Sequence, residues 1–472
     1  MPLKKIVIIG AGISGLSIAW GLCNKKDFEL TILEAGLDIG GLSRTIEHNG
    51  LLFDIGPHRF SPQLPKAVRF VRGLLAEGLL KKQNTHGVYF NGILYNYPPR
   101  FKDFLHGSSL KNTFIFGLDW AYARFLSSIN RILGRRKNES FKDILYRQFG
   151  KSFCDYVIFP MISKVWGTKD LSSQFANIRF LQPTLTRIIS RVFFRNIHAN
   201  DNVFYYPRNG YGEISERIGE YLRKNKNILL ELSANIESIE AKSLNGPFKV
   251  LYTQGSARKT VEADVVVSTI SNKKLFGYLS KTSLVNPLAG HIDKFVSRTL
   301  WLGILAVKDF HLRDRVIIFP EAKFIFNRIS EMNLFSNLNY PEGQAILMVD
   351  VICDEGSAYD VMEEGEFNRL LLDSVLGLGW FKKANVCQNF SMRFPNAYPI
   401  LNQNRYDTQE EVNKYFAGSS VILCGREASS DYNNAHNAMI KGFITARYIA
   451  GEIDFKKYKL SSNIIGRLPI QD

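Results

Sequence analysis

Lys4-Lys5-Ile6-Val7-Ile8-Ile9-Gly10-Ala11-Gly12-Ile13-Ser14-Gly15 is the stretch whose reading decides the fold. A short apolar run bounded by lysines suits a buried parallel strand, and it enters a glycine loop with no spacer. A helical pattern follows, ending near Cys23. A second strand-like run, Glu29–Leu33, then closes on Glu34, nineteen residues after Gly15. Each part has a physical task. Gly10 permits a tight turn, Gly12 lets the backbone approach a pyrophosphate, and Gly15 lets helix and strand pack closely. Ile13 and Ser14 fall in the first helical turn, where free N–H groups and the positive dipole end face a diphosphate. Glu34 is placed to accept hydrogen bonds from a ribose 2′-OH. Lysines ahead of an apolar run also imitate a signal peptide, but the three glycines and the acid-ended second strand fit that reading poorly.

Working outward, Gly40-Gly41-Leu42-Ser43-Arg44 comes next, and then Phe53-Asp54-Ile55-Gly56-Pro57-His58-Arg59. This resembles the FAD superfamily that contains amine oxidases, protoporphyrinogen oxidases, phytoene desaturases and UDP-galactopyranose mutases. The resemblance implies FAD rather than NAD. It places Gly41, Leu42, Ser43 and Arg44 just past the ribose acid, and the Gly56, Pro57, His58 loop beside the flavin ring. Val421–Arg426 followed by Asn434–Ile449 reads as strand, turn and helix, and resembles the closing flavin-binding element. It adds Gly425, Arg426, Asn434, His436 and Asn437 to the cofactor set, together with Ile236 from the strand-like Ile228–Ile239 stretch. A helix starting around His436 would point its N-terminus at the edge where reduced flavin carries negative charge.

Val165-Trp166-Gly167-Thr168-Lys169-Asp170-Leu171, followed by Arg179, is similar to a stretch of the mutases in which arginines grip a diphosphate. Phe326-Asn327-Arg328-Ile329-Ser330-Glu331 resembles a second mutase segment, and Tyr432 falls where the mutases keep a phosphate-contacting tyrosine. Arginine suits a diphosphate because its fork donates two parallel, permanently charged hydrogen bonds. The catalytic candidates are therefore His58, Arg179, Arg328 and Tyr432. Two departures stand out. Asn434 replaces the aspartate the mutases usually carry, and Phe90–Pro98 with Ala397-Tyr398-Pro399 looks more like the amine-oxidase and protoporphyrinogen-oxidase branch.

At 472 residues the chain has room for two domains, and 34 Phe with 20 Tyr give a high aromatic load for lining a cleft. Cys23, Cys154, Cys353, Cys387 and Cys424 form no CxxC pair, and the histidines show no ligand spacing, which speaks against disulfide or metal frameworks. Together these suggest a cytoplasmic protein. No apolar run reaches the roughly eighteen residues a membrane span needs. The net charge of +16 has two readings. It is an ordinary basic surface, or it marks peripheral contact with an anionic inner-membrane face. The second rests on two basic amphipathic stretches. One is Thr184–Arg195, with Arg187, Arg191 and Arg195 four apart. The other is the stripe Phe114, Leu118, Tyr122, Phe125, Ile129 and Leu133, ending in Arg135-Arg136-Lys137. No nucleic-acid recognition motif accompanies the charge.

The expected fold is α/β, a Rossmann-type FAD-binding domain interleaved with a mixed α+β substrate domain. Residues 1–62, 201–272 and 386–455 would build the FAD domain. Residues 63–200 would open with a strand-like run, Gly87–Tyr97, and form a mostly helical substrate part, 273–385 an antiparallel sheet, and 456–472 a tail. Candidate strands in that sheet are Leu300–Val307, Val316–Pro320 and Gln344–Ile352, and Pro160 is expected to break a helix over Tyr146–Trp166. The leading function is an FAD-dependent oxidoreductase of the amine-oxidase superfamily. It would transfer hydride through flavin N5 to or from a small molecule such as a sugar or lipid diphosphate. A non-redox isomerase of a nucleotide sugar using reduced FAD, and a flavin-bound scaffold without turnover, are the alternatives.

Overall fold

The computed structural model describes residues 3–97, 110–132, 139–179, 203–280, 282–338, 340–431 and 434–468. Strand Lys4–Ile9 lies at the centre of a five-stranded, all-parallel sheet. Its order is Val421–Leu423, Val265–Ser268, Lys4–Ile9, Phe28–Leu33, Ile228–Glu231. The strands come from three distant parts of the chain, so this domain is interleaved with the other, as the sequence implied. Helix Ile13–Leu22 covers one face and crosses the long helix Ala435–Ile449. Small residues set that crossing. A Cβ on Gly442 would fall 2.7 Å from the Ser17 Cβ, and one on Gly21 2.5 Å from the Ala446 Cβ. The other face packs against a three-stranded antiparallel sheet, Ala234–Glu240, Phe248–Gln254 and Ala257–Ala263, and helix Asn272–Leu279.

The second domain is a seven-stranded sheet ordered Val386–Pro399, Ser297–Lys308, Gln344–Asp354, Arg328–Glu331, Val316–Ile318, His86–Phe90, Ile93–Tyr97. All its pairs are antiparallel except Val316–Ile318 with His86–Phe90. Its three expected strands are present. A helical arm, built from Leu110–Ile132, Phe141–Phe149, Phe159–Trp166 and Ser173–Arg179, packs around Phe141, Leu145, Ile162 and Phe175.

Several expectations need correction. Gly87–Tyr97 is not one strand but a hairpin, turning at Asn91-Gly92 with φ of 50° and 79°, the backbone a two-residue hairpin requires. Val386–Pro399 belongs to the second sheet, not to the closing part of the FAD domain. It is an edge strand, which is why its polar sequence and its prolines are tolerated. Helix Pro65–Leu75 buries Ala67, Val68 and Val71 in the first domain's core, so the boundary at 62 cuts that domain short. The expected tail is mostly helix, Phe455–Gly466, packed on Ala435–Ile449. Pro160 does not break its helix. The chain stays helical from Lys151 to Trp166, and a π-helical turn over Cys154–Ile158 gives way to α-helix at Phe159, beside the proline that lacks an N–H.

Candidate functional site

The glycine loop forms a cradle at the carboxyl ends of the parallel strands. A Cβ on Gly15 would sit 2.0 Å from the Gly10 carbonyl oxygen, so glycine is obligatory there for packing. A Cβ on Gly12 would meet nothing within 4 Å. The fold does not need glycine at position 12, and the open space in front of it is where a diphosphate fits. Glu34 is tied into the same loop, accepting from the Ala11 N–H at 2.7 Å and the Gly36 N–H at 2.8 Å.

The double glycine runs alongside. Gly40 pairs with Gly12 in an isolated bridge and donates its N–H to the Ala11 carbonyl at 2.8 Å. Gly40 and Gly41 both have positive φ, and Leu42, Ser43 and Arg44 follow as a short helical turn and its cap. Oγ of Ser215, buried against Gly40, has no hydrogen-bond partner among the described residues, and neither has Oδ1 of Asn437 in the first turn of Ala435–Ile449. Buried polar atoms are normally satisfied, and a hydroxyl-rich dinucleotide would satisfy these. The cradle fits FAD.

The Gly56 loop is held by an aspartate that the sequence reading passed over. Asp54 is fully buried and accepts from Thr45 Oγ1 at 2.5 Å, from the Tyr206 hydroxyl and from the Tyr211 N–H at 3.0 Å. Burial, opposed by those hydrogen bonds, pushes its carboxyl up to about 6. Two residues beyond Gly56, His58 Nε2 donates to the Leu42 carbonyl at 2.7 Å while its ring lies 4.8 Å from that of Tyr211. Burial lowers the imidazole to about 4, the Leu42 bond opposes this, and the charges of Arg328 and Arg426 add to the lowering. His58 is therefore a neutral ring at physiological pH, with Nε2 committed and a fixed orientation.

The arginines converge. Arg328 pairs with the fully buried Asp350 and lies 3.5 Å from where a Cβ on Gly56 would be. Burial raises the Asp350 carboxyl and Arg328 counters it. His86, buried at the start of its strand, is held well below the usual imidazole range by burial and by the charges of Arg59, Arg328, Arg179 and Arg315. Arg59 and Arg315 flank the Phe204 ring, at 5.8 and 6.0 Å, and Arg426 lies over Tyr398 at 5.3 Å. Candidates 58, 179, 328 and 426, far apart in sequence, thus share one electropositive neighbourhood. His86, Asp350 and Arg315 were missed. Asp350 did leave a signal, a lone carboxylate inside the apolar strand Gln344–Asp354.

Other candidates have mixed placements. Gly425 adopts φ of +105° against Ser14, the His436 ring is buried 5.5 Å from Phe60, and Asn437 Nδ2 donates to the Ile465 carbonyl at 3.3 Å. Asn434 caps the long helix in an extended conformation with no side-chain cap bond, and Ile236 is half-buried at the edge of the three-stranded sheet's core. Tyr432 and the Thr184–Arg195 stretch lie outside the described residues. The Trp166-Gly167 pair has a structural task. Gly167 is a left-handed helix cap closed by the Arg298–Asp354 pair, and Lys164 before it donates to the carbonyls of Phe319, Glu321 and Phe326 at 2.8, 2.9 and 2.6 Å. That clip fixes the turn leading into Arg328.

Comparison with known proteins agrees with this geometry. The NAD(P)-binding Rossmann-like domain family matches residues 8–74. The chain is 25% identical over 165 residues to protoporphyrinogen oxidase 2 of Arabidopsis thaliana, covering 34% of this chain and 32% of that protein. It is 25% identical over 178 residues to coproporphyrinogen III oxidase of Bacillus subtilis, covering 34% and 37%. The matches thus span about a third of these relatives' lengths. The fold is shared more widely. A structure of reduced UDP-galactopyranose mutase superposes with a TM-score of 0.80 at 21% identity, covering 100% of this chain and 99% of that one. Putrescine oxidase bound to putrescine superposes with a TM-score of 0.63 at 15% identity, covering 95% and 99%.

Proposed function

We propose that this chain is an FAD-dependent enzyme acting on an anionic small molecule, with hydride transfer as its chemistry and a diphosphate as the substrate's charged group. The observation that carries the substrate class is the gathering of Arg59, Arg179, Arg315 and Arg328 around His86, next to the His58 loop. Guanidinium groups gathered at one place, with Arg328 braced by the buried Asp350, suit the recognition of an anion. Gly12, Glu34 and the double glycine would hold the dinucleotide, and Gly56–His58 with the N-terminus of Ala435–Ile449 would face its ring. Bound FAD supplies a hydride acceptor or donor at N5. The residues do the rest. Arg328, braced by Asp350, orients the anion, and neutral His58 holds the Leu42 turn without adding charge.

A second reading, non-redox isomerisation of a nucleotide sugar on reduced FAD, is favoured by the full-length superposition on the mutase. An anionic oxidase substrate such as a porphyrinogen carboxylate is compatible with the same arginines. One experiment separates these. Flavin-loaded protein is titrated with UDP, with a UDP-hexose and with coproporphyrinogen while the flavin spectrum, the ring form of the hexose, peroxide release and net electron consumption are followed. Perturbation by UDP supports the diphosphate. Turnover only of chemically reduced protein, without net electron use, supports isomerisation. Indifference to both anions contradicts the proposal.

A further inference from the structure

The helix Leu110–Ile132 presents its apolar face outward. Phe114, Leu118, Tyr122, Phe125 and Ile132 are 68%, 56%, 62%, 63% and 84% exposed, against the usual tendency of large apolar side chains to be buried. At about 100° per residue these positions fall within one narrow arc of the helix, so they form a continuous stripe rather than scattered exposure. The opposite side is the one that packs. Phe116 meets Phe153 and Tyr156 with ring centroids at 5.6 and 6.0 Å, and Asp119 accepts the Ser152 N–H at 2.5 Å. An apolar stripe of this size on a charged protein marks a contact surface.

We propose that this stripe seats the protein on an anionic lipid surface, with the helix lying along the membrane. Charge identifies the occupant. Along the helix the sequence carries Lys111, Arg124 and Arg131 against a single acid, Asp119, which is engaged on the packed side. The whole chain is at +16. An apolar face with basic surroundings is the composition of helices that lie in the headgroup region, where burial and attraction to anionic lipid add. At 23 residues the helix is about 35 Å long, and no described helix is long and apolar enough to cross a membrane. The inference is independent of the flavin reading.

The test uses the full chain and vesicles of phosphatidylcholine with or without phosphatidylglycerol. Wild type should sediment with the anionic vesicles at least tenfold more than with the neutral ones at low salt, and release as salt screens the attraction. Phe125→Asp should lower that binding at least tenfold while the melting temperature stays unchanged. Phe125→Trp, a conservative change at an exposed site, gives a reading that does not depend on disrupting anything. Its indole emission, taken as a difference from wild type, should shift blue with anionic vesicles and be quenched by brominated acyl chains. Absence of sedimentation at low salt overturns the proposal. So does an F125W indole already shielded from acrylamide without lipid, since the stripe is then covered by this chain or by a second copy.

Discussion

Replacing His58 with glutamine should make the protein more acid-tolerant relative to wild type, and the size follows from the site. The folded imidazole sits at about 4 because burial and the charges of Arg328 and Arg426 oppose protonation, whereas an unfolded histidine titrates near 6.5. Between those values the unfolded chain binds the proton and the folded chain does not. The stability contributed by keeping the ring neutral is therefore present above about 6.5 and lost as pH falls through about 4. At 1.36 kcal/mol per unit the loss is at most about 3 kcal/mol. Asp54 works in the opposite sense. Its carboxyl is raised to about 6, so its contribution is present below its unfolded value near 3.9 and lost as pH rises through about 6, again about 3 kcal/mol. The two terms nearly cancel in wild type. Glutamine keeps a donor for the Leu42 carbonyl but never titrates. The difference in stability, H58Q minus wild type, should thus rise by up to about 3 kcal/mol from pH 7 to pH 4. For a chain of this length that is about 3 °C in melting temperature, at ~2.1 cal/mol/K per residue. Scanning fluorimetry of both proteins across that range measures it, and the difference cancels every other titrating group. A difference that stays flat, or falls on acidification, refutes the electrostatic account of His58.

Further outcomes follow from the cradle and the arginines. Gly12→Val should leave the flavin-free melting temperature within about 1 °C while abolishing flavin retention, whereas Gly15→Ala should unfold the domain, because its Cβ would strike the Gly10 carbonyl. Circular dichroism with flavin assay distinguishes the two. Asp350→Asn leaves Arg328 without its buried counter-charge, so it should cost about 3 kcal/mol of stability and weaken UDP binding in a flavin-difference titration. Lys164→Met removes a donor from three carbonyls. It should lower stability by about 3 kcal/mol and loosen anion binding with flavin content intact.

How much was legible in the sequence depended on whether a residue's task is local. Gly10, Gly12, Gly15 and Glu34 could be read because turn, approach and acid lie within one βαβ unit. The Asn91-Gly92 hairpin carried a local signal, yet the apolar run around it was read as one strand. Val386–Pro399 escaped because an edge strand may be polar, and its sequence resembles a linker until its partner Ser297–Lys308 is seen. The gathering of Arg59, Arg179, Arg315 and Arg328 around His86 joins residues up to 269 positions apart. No spacing rule encodes it. The resemblance pointed to Arg179 and Arg328 but not to His86 or Asp350, which act through burial.

The central claim is that the cradle from Gly10 to Arg44 holds FAD. The direct measurement is the identity of the small molecule that heat releases from purified protein, resolved by chromatography against FAD, FMN and NAD. FAD in stoichiometric amount, lost in Gly12→Val and retained in His58→Gln, is the predicted result. Release of no flavin by a folded wild-type protein that also fails to take up added FAD, or recovery of FMN alone, would contradict the account.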